Sequence, residues 1–193
     1  SVAEVQAAVT VAAPAMSSIK ISGRNKIIFS WKQVKGTAGY RVYRKTGNSG
    51  WKAVKTITGS KNVAFTDTKV STGARYTYTV KAYRKSGKNI IWSGYNKKGL
   101  TAIAGLNYLT LNKTSLTLAP KKTYTLKING TSLKPSWKSS NTKVVSVTSA
   151  GKVTAVKTGT ANITAILGGR KFTCKITVKN PASANAKMTQ NYA

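Results

Sequence analysis

Apolar and polar residues alternate with a period of two along most of this chain, from Met16 onward. Successive side chains of a β-strand point to opposite faces of a sheet, so this period predicts strands. The alternating segments are rich in Val, Ile, Tyr, Thr and Trp, which strands favour. A helical period of about 3.6 residues is absent from them. We therefore predict an all-β chain.

Turn-forming residues divide the first half of the chain into short strands. We predict strands at residues 26–31, 40–44, 52–57, 76–83 and 90–93, with turns at 36–39, 47–50, 59–62, 71–73 and 86–89. This spacing predicts a β-sandwich of about seven short strands. At 193 residues the chain is long enough for two such sandwiches in tandem, each with its own core.

The chain has almost none of the ionisable groups that most enzymes use. It contains no histidine, one cysteine and two acidic residues, Glu4 and Asp67. General acid–base catalysis and metal sites draw mainly on these residue types. We therefore expect no enzyme activity, no metal and no cofactor. A serine activated by a neutral lysine stays open as an alternative.

Basic residues dominate the charge. The chain has 33 lysines and arginines, which give a formal net charge of +31, and 27 of them are lysine. Lysine carries a mobile point charge, whereas arginine offers a planar fork for bidentate recognition. This balance favours diffuse attraction to anionic polymers such as teichoic acid or an acidic glycan, and to nucleic acid through charge alone. No apolar run approaches the length needed to cross a bilayer, so we expect no membrane insertion.

The first half of the chain resembles the fibronectin type III domain over roughly residues 14–104. The resemblance is carried by Trp31, by GYRVY (39–43), by FTD (65–67) and by residues 70–83. Val70, Ala74 and Tyr76 match the family's tyrosine corner, where a tyrosine hydroxyl ties a loop to the following strand. WKQV (31–34) followed by residues 36–43 looks like the versions in surface proteins of Gram-positive anaerobes. No Arg-Gly-Asp tripeptide is present, so integrin adhesion is not implied.

The second half resembles the group 2 bacterial immunoglobulin-like domain over residues 107–179. The matching segments are LTLNKTSL (109–116), WKSSN (137–141), VVSV (144–147), GKVTA (151–155), GTANITA (159–165) and FTCKITV (172–178). Together the two resemblances predict a leader at 1–13, domains at 14–104 and 105–179, and a flexible tail at 180–193.

These resemblances imply two tandem immunoglobulin-like β-sandwiches. We expect a non-catalytic structural or adhesive module, secreted or on the cell wall or surface of a Gram-positive bacterium. Two alternatives stay open: a specific binding protein for an acidic glycan or nucleic acid, and an accessory module of a larger extracellular enzyme. Fold resemblance alone does not choose among them.

Several conspicuous side chains have a structural interpretation. Cys174 alternates with apolar residues, which predicts a small core residue, and no histidine is present to activate its thiol. Trp31 and Trp137 lie on early strands, where a sandwich needs bulk between its sheets. Asp67 follows a strand, where a carboxylate commonly accepts backbone or lysine hydrogen bonds. Trp51 and Trp92 are other aromatic residues of interest.

The first domain also has a candidate binding surface. If Tyr40 and Val42 point inward, Arg41 and Tyr43 point outward. In residues 76–83 the same alternation turns Lys81 and Tyr83 outward. Because these strands are neighbours in a fibronectin-type sandwich, their outer face is predicted to fit an anionic glycan or stacked bases. A β-bulge after Val42 would reverse part of it. The predicted site residues are Arg41, Tyr43, Lys81 and Tyr83.

Overall fold

The structure is a computed structural model that describes residues 9–183, in which β-strands are joined by turns and loops. The strands of the first part are β1 (Met16–Ile21), β2 (Ile27–Trp31), β3 (Gly39–Thr46), β4 (Lys52–Thr58), β5 (Ala64–Asp67), β6 (Arg75–Ser86), β7 (Asn89–Trp92) and β8 (Leu100–Ile103), followed by a 3-10 turn, Leu106–Tyr108. Those of the second part are β9 (Thr110–Leu111), β10 (Ser115–Leu118), β11 (Thr123–Thr125), β12 (Ile128–Asn129), β13 (Ser136–Ser139), β14 (Val145–Val147), β15 (Lys152–Ala155), β16 (Gly159–Leu167) and β17 (Arg170–Val178). The predicted all-β class is confirmed.

The chain divides into two compact units, Ser1–Tyr108 and Leu109–Ala193. Most of the predicted leader and tail lies outside the described residues. Val11, within the predicted leader, packs against the core of the first unit. No helix in residues 9–183 is long and apolar enough to cross a membrane.

The first unit pairs a three-stranded sheet with a five-stranded one. The sheet orders are β1-β2-β5 and β4-β3-β6-β7, and β8 also pairs with β6. Alternate residues of β2, β3 and β6 form one buried core, which includes Phe29, Tyr40, Val42 and Tyr78. The five strands predicted in this region all coincide with observed strands, because burial of one sheet face imposes the period of two.

Aromatic rings fill the centre of this core. Trp31 is 2% exposed, which confirms its predicted position between the sheets. Its ring centroid lies 5.4 Å from that of Phe29 and 5.2 Å from that of Tyr40. Phe29 in turn stacks on Tyr78 at 5.7 Å. Such ring pairs add stability beyond the area that they bury.

A tyrosine corner holds the loop before β6. The hydroxyl of Tyr76 accepts a hydrogen bond of 2.8 Å from the backbone N–H of Ser71. Val70, next to it, is 5% exposed. The hydroxyl therefore ties this loop to the strand that follows, as the fibronectin type III resemblance implied.

The second unit is also built from sheets around a core. The sheet orders are β10-β17-β16-β13, β11-β15-β14 and β12-β9, and β10 runs parallel to β17. Ile163 on β16 pairs with Cys174 on β17, and both are 0% exposed. Burial raises the pKa of the Cys174 thiol. Cys174 is therefore the core residue that the alternation predicted.

Trp137 corrects one expectation, because its indole is only half-buried. It pairs with Ala165, a fully buried residue, so it points toward the core side of the sheet. However, β13 is the edge strand of that sheet, so one flank of the ring has no neighbouring strand to cover it. Trp137 instead lines a surface groove of about 680 Å³ together with Leu133 and Pro135.

Candidate binding face

The four predicted site residues lie on one face of the five-stranded sheet, opposite the core. Arg41 pairs directly with Lys81, and Tyr43 pairs with Thr79. The register shift at Val42 occurs in the pairing of β3 with β4, whereas the pairing of β3 with β6 runs on without interruption. The bulge therefore does not reverse the predicted face. We call this surface the aromatic face; its basic and aromatic members are Arg41, Tyr43, Lys45, Trp51, Lys81, Tyr83, Trp92 and Tyr95.

Tyr83 is on the aromatic face, but it is only 6% exposed. Its ring lies 5.3 Å from that of Trp92, with which it pairs across β6 and β7. The guanidinium of Arg41 lies 4.5 Å from the centroid of Trp92. These three side chains cover one another, so Tyr83 does not present the ring for stacking that the sequence predicted.

The other end of the aromatic face has more open groups. The Lys81 ammonium lies 5.5 Å from the Tyr43 ring and 5.0 Å from the Tyr95 ring. Trp51 meets Tyr95 edge to face, with 6.4 Å between centroids. Lys45 and Tyr95 were missing from the predicted site. Lys45 follows the same alternation as Arg41 and Tyr43, so that signal was present, whereas Tyr95 lies in a loop where alternation gives no guidance.

Asp67 ends β5 of the three-stranded sheet, is buried in the core, and holds three groups. It is 3% exposed, accepts hydrogen bonds of 2.7 Å from Arg44 and 2.8 Å from the Tyr78 hydroxyl, and caps the Lys69 backbone N–H at 2.9 Å. Burial, with the bond to Asp67, raises the pKa of Tyr78. Burial lowers the pKa of Arg44, but the hydrogen bond and the negative charge of Asp67 outweigh burial, so the net pKa of Arg44 is raised. The carboxylate is therefore a structural acceptor.

The described residues contain no cluster of the usual metal-ligating side chains. In residues 9–183 no three of the His, Cys, Asp and Glu side chains come together as metal ligands. Asp67 is the one carboxylate side chain in this range, and its oxygens are already engaged by Arg44, Tyr78 and Lys69.

Comparison with known proteins agrees with the architecture. Residues 108–178 match the family described as the bacterial Ig-like domain (group 2). A 71-residue stretch, 36% of this chain, is 34% identical to an amylopullulanase from Thermoanaerobacterium saccharolyticum. The matched stretch makes up 5% of that enzyme's length.

Solved structures to which this chain is similar include a human fibronectin type III domain and a fragment of intimin. A human fibronectin type III domain covers 52% of this chain, which covers 91% of that domain, at 17% identity and a TM-score of 0.37. A 282-residue fragment of intimin covers 86% of this chain, which covers 64% of the fragment, at 18% identity and a TM-score of 0.42.

The chain is thus a pair of immunoglobulin-like β-sandwich modules. Residues 108–178, within the second unit, match the group 2 bacterial immunoglobulin-like family. The first has the strand pairing and tyrosine corner expected from its fibronectin type III resemblance.

Proposed function

We propose that this chain is a non-catalytic secreted or cell-surface module that attaches to anionic polymers of the bacterial envelope. The observation that carries the proposal is the net charge of +31, formed by 33 basic residues and two acidic ones. Such an excess creates a positive field over the surface, which attracts polyanions and speeds their encounter.

Both units contribute to the charge. Nineteen basic residues and Asp67 lie in residues 14–104, and thirteen basic residues with no acidic residue lie in 105–179. Nearly every lysine in residues 9–183 is exposed. A polymer that lies along these lysines releases its counterions, which is a sequence-independent driving force for binding. Teichoic acid and acidic glycans fit this chemistry.

The family match supports a place outside the cell. Residues 108–178 match a bacterial immunoglobulin-like family, and the 71-residue match to the amylopullulanase is a small part of that much longer enzyme. On this proposal the two sandwiches act as a spacer and an adhesive surface on the cell wall of a Gram-positive bacterium.

The proposal is tested by measuring binding of the full chain to heparin, teichoic acid and DNA at low and at near-physiological salt. We expect all three polymers to bind at low salt. Their affinity should fall steeply as salt rises, because the free energy gained by releasing counterions becomes smaller. Lys171→Gln with Lys175→Gln, two exposed lysines on β17, should reduce the salt slope equally for all three. Absence of binding even at low salt would rule the proposal out.

A second candidate function is an accessory module of a larger extracellular enzyme. It is favoured by the 71-residue match to the amylopullulanase, of which that stretch is a small part. Sequencing the complete reading frame tests it directly. A catalytic domain in the same frame supports the accessory role, whereas a frame that contains only further sandwich modules contradicts it.

A further inference from the structure

Two lysines on the aromatic face differ from all other lysines of residues 9–183. Every lysine in that range is exposed except Lys45 and Lys81, which are half-buried. The Lys45 ammonium lies 4.8 Å from the centroid of Trp51, and Lys81 lies over the rings of Tyr43 and Tyr95. Attraction between a cation and an aromatic face offsets part of the hydration that a buried ammonium loses. These two charges are therefore held in position.

The rings around Lys81 enclose a small hollow. It is lined by Tyr43, Trp51, Thr79, Lys81 and Tyr95 and has a volume of about 70 Å³. A water molecule needs about 10–15 Å³ of such space, so the hollow has room for a few waters or one small anionic group. The rings of Trp51 and Tyr95 meet at 83°, so they form the two walls of a corner.

Hydrogen bonds fix one wall of the hollow in advance. The Thr79 hydroxyl donates to the carbonyl oxygen of Asn96 at 2.7 Å. The side-chain oxygen of Asn96 accepts from the backbone N–H groups of Lys98, at 3.0 Å, and Gly99, at 3.1 Å. Tyr95 directly precedes Asn96, so its position is set by this network. A site that is built before its ligand arrives loses less conformational entropy on binding.

Within residues 9–183, no carboxylate side chain balances the positive charge of the hollow. Asp67, the one carboxylate side chain in residues 9–183, lies in the core on β5 of the three-stranded sheet and forms an ion pair with Arg44. We propose that the hollow binds the anionic substituent of an acidic polysaccharide, a carboxylate or sulfate on a pyranose ring, with the ring against Trp51. This inference rests on the proposed function, since it locates one specific subsite for a polymer that the overall charge attracts.

The geometry favours a sugar polymer over a nucleic acid. Proteins that bind single strands stack successive bases on open aromatic faces. In the hollow, Lys81 occupies one face each of Tyr43 and Tyr95, and Lys45 occupies one face of Trp51. Each ring therefore has at most one free face, which is enough for a single pyranose ring but does not form the row of open rings that successive bases need. Lysine also acts as a point charge without the planar fork that reads base edges, which suits an isolated anionic group.

The test measures binding of the full chain to heparin, hyaluronan and single-stranded DNA of matched length, at about 0.15 M salt, where the Debye length is about 8 Å. Lys81→Gln is compared with Lys85→Gln, an exposed lysine on the same strand, because both remove one charge. Lys81→Gln should weaken polysaccharide binding about tenfold through loss of one charge-assisted hydrogen bond. Lys85→Gln should weaken it less than about twofold. Heparin carries sulfates as well as carboxylates, and hyaluronan carries carboxylates alone, so Lys81-dependent binding of heparin without such binding of hyaluronan assigns a sulfate.

A second pair of variants tests the aromatic wall. Tyr95→Leu should remove the polysaccharide binding that remains at about 0.15 M salt, called here the salt-resistant binding. Tyr108→Leu, at an exposed tyrosine, should not remove it. Unchanged melting temperatures establish that both variants are folded. Equal effects of Lys81→Gln and Lys85→Gln, with binding at low salt intact, would overturn the subsite and leave the proposed function standing. Salt-resistant binding of DNA that depends on Tyr95 would overturn the sugar assignment. If the unmodified chain binds none of these polymers at low salt, the proposed function is overturned as well.

Discussion

At the scale of single residues, Asp67 shows how a rare carboxylate is used. It is the one carboxylate side chain in residues 9–183, and it is placed in the core rather than on the surface. Its bonds to Arg44, Tyr78 and the Lys69 backbone satisfy a buried charge that would otherwise be costly. The sequence position predicted a structural acceptor of backbone or lysine hydrogen bonds, but it did not identify the two side-chain partners, Arg44 on β3 and Tyr78 on β6.

We expect Asp67→Asn to destabilise the first unit by about 3 kcal/mol, because it leaves the partly buried Arg44 without its counter-charge. Asparagine has nearly the same volume, so no cavity contributes. Urea unfolding measures the change. The control is the same substitution in an Arg44→Met background, where it should cost much less because no guanidinium is left unpaired. An equal cost in both backgrounds would show that the ion pair is not the source of the stability.

At the scale of strands and loops, the period of two located the strands and the face of each side chain. It predicted correctly that Arg41, Tyr43 and Lys81 share one face. It missed Tyr95, whose place is set by hydrogen bonds in the loop after β7. It also missed that Tyr83 is covered, because burial by Trp92 depends on a strand pairing that one strand's pattern does not contain.

Gly99 illustrates how a loop position supports the hollow. Its φ is 70°, and a Cβ there would lie 2.6 Å from the Tyr78 carbonyl oxygen and 3.0 Å from the Trp51 ring. Gly87 has a similar φ of 60° but nothing within 4 Å of the added atom. The two glycines therefore form a matched pair that separates backbone strain from close packing.

We predict that Gly87→Ala costs about 1 kcal/mol, the strain of a left-handed residue, and that Gly99→Ala costs about 3 kcal/mol, because overpacking adds to that strain. Denaturant unfolding of both variants gives the difference. Gly99→Ala should also change the tryptophan fluorescence of the folded protein, since Trp51 must move. Equal costs for the two substitutions would contradict the close approach at Gly99.

At the scale of the whole molecule, the division into two units affects how the chain can be cut. The predicted domain bounds meet between residues 104 and 105, and the compact units divide between Tyr108 and Leu109. Leu106 is 7% exposed in the chain and belongs to the first compact unit, so a fragment that ends at residue 105 lacks part of that unit. Fragments 1–108 and 109–193 are therefore the better choice.

We predict that the two units fold and unfold independently, since each has its own core, and Cys174 reports on this in the full chain. The thiol is 0% exposed and its pKa is raised by burial, so a thiol reagent should label it only when the second unit opens. Val153→Ala, at a fully buried residue of that unit, should speed labelling at least about tenfold. Asp67→Asn should leave the labelling rate unchanged, although it destabilises the first unit. If Asp67→Asn speeds labelling as strongly as Val153→Ala, the two units unfold as one, and fragments 1–108 and 109–193 should then fail to fold alone.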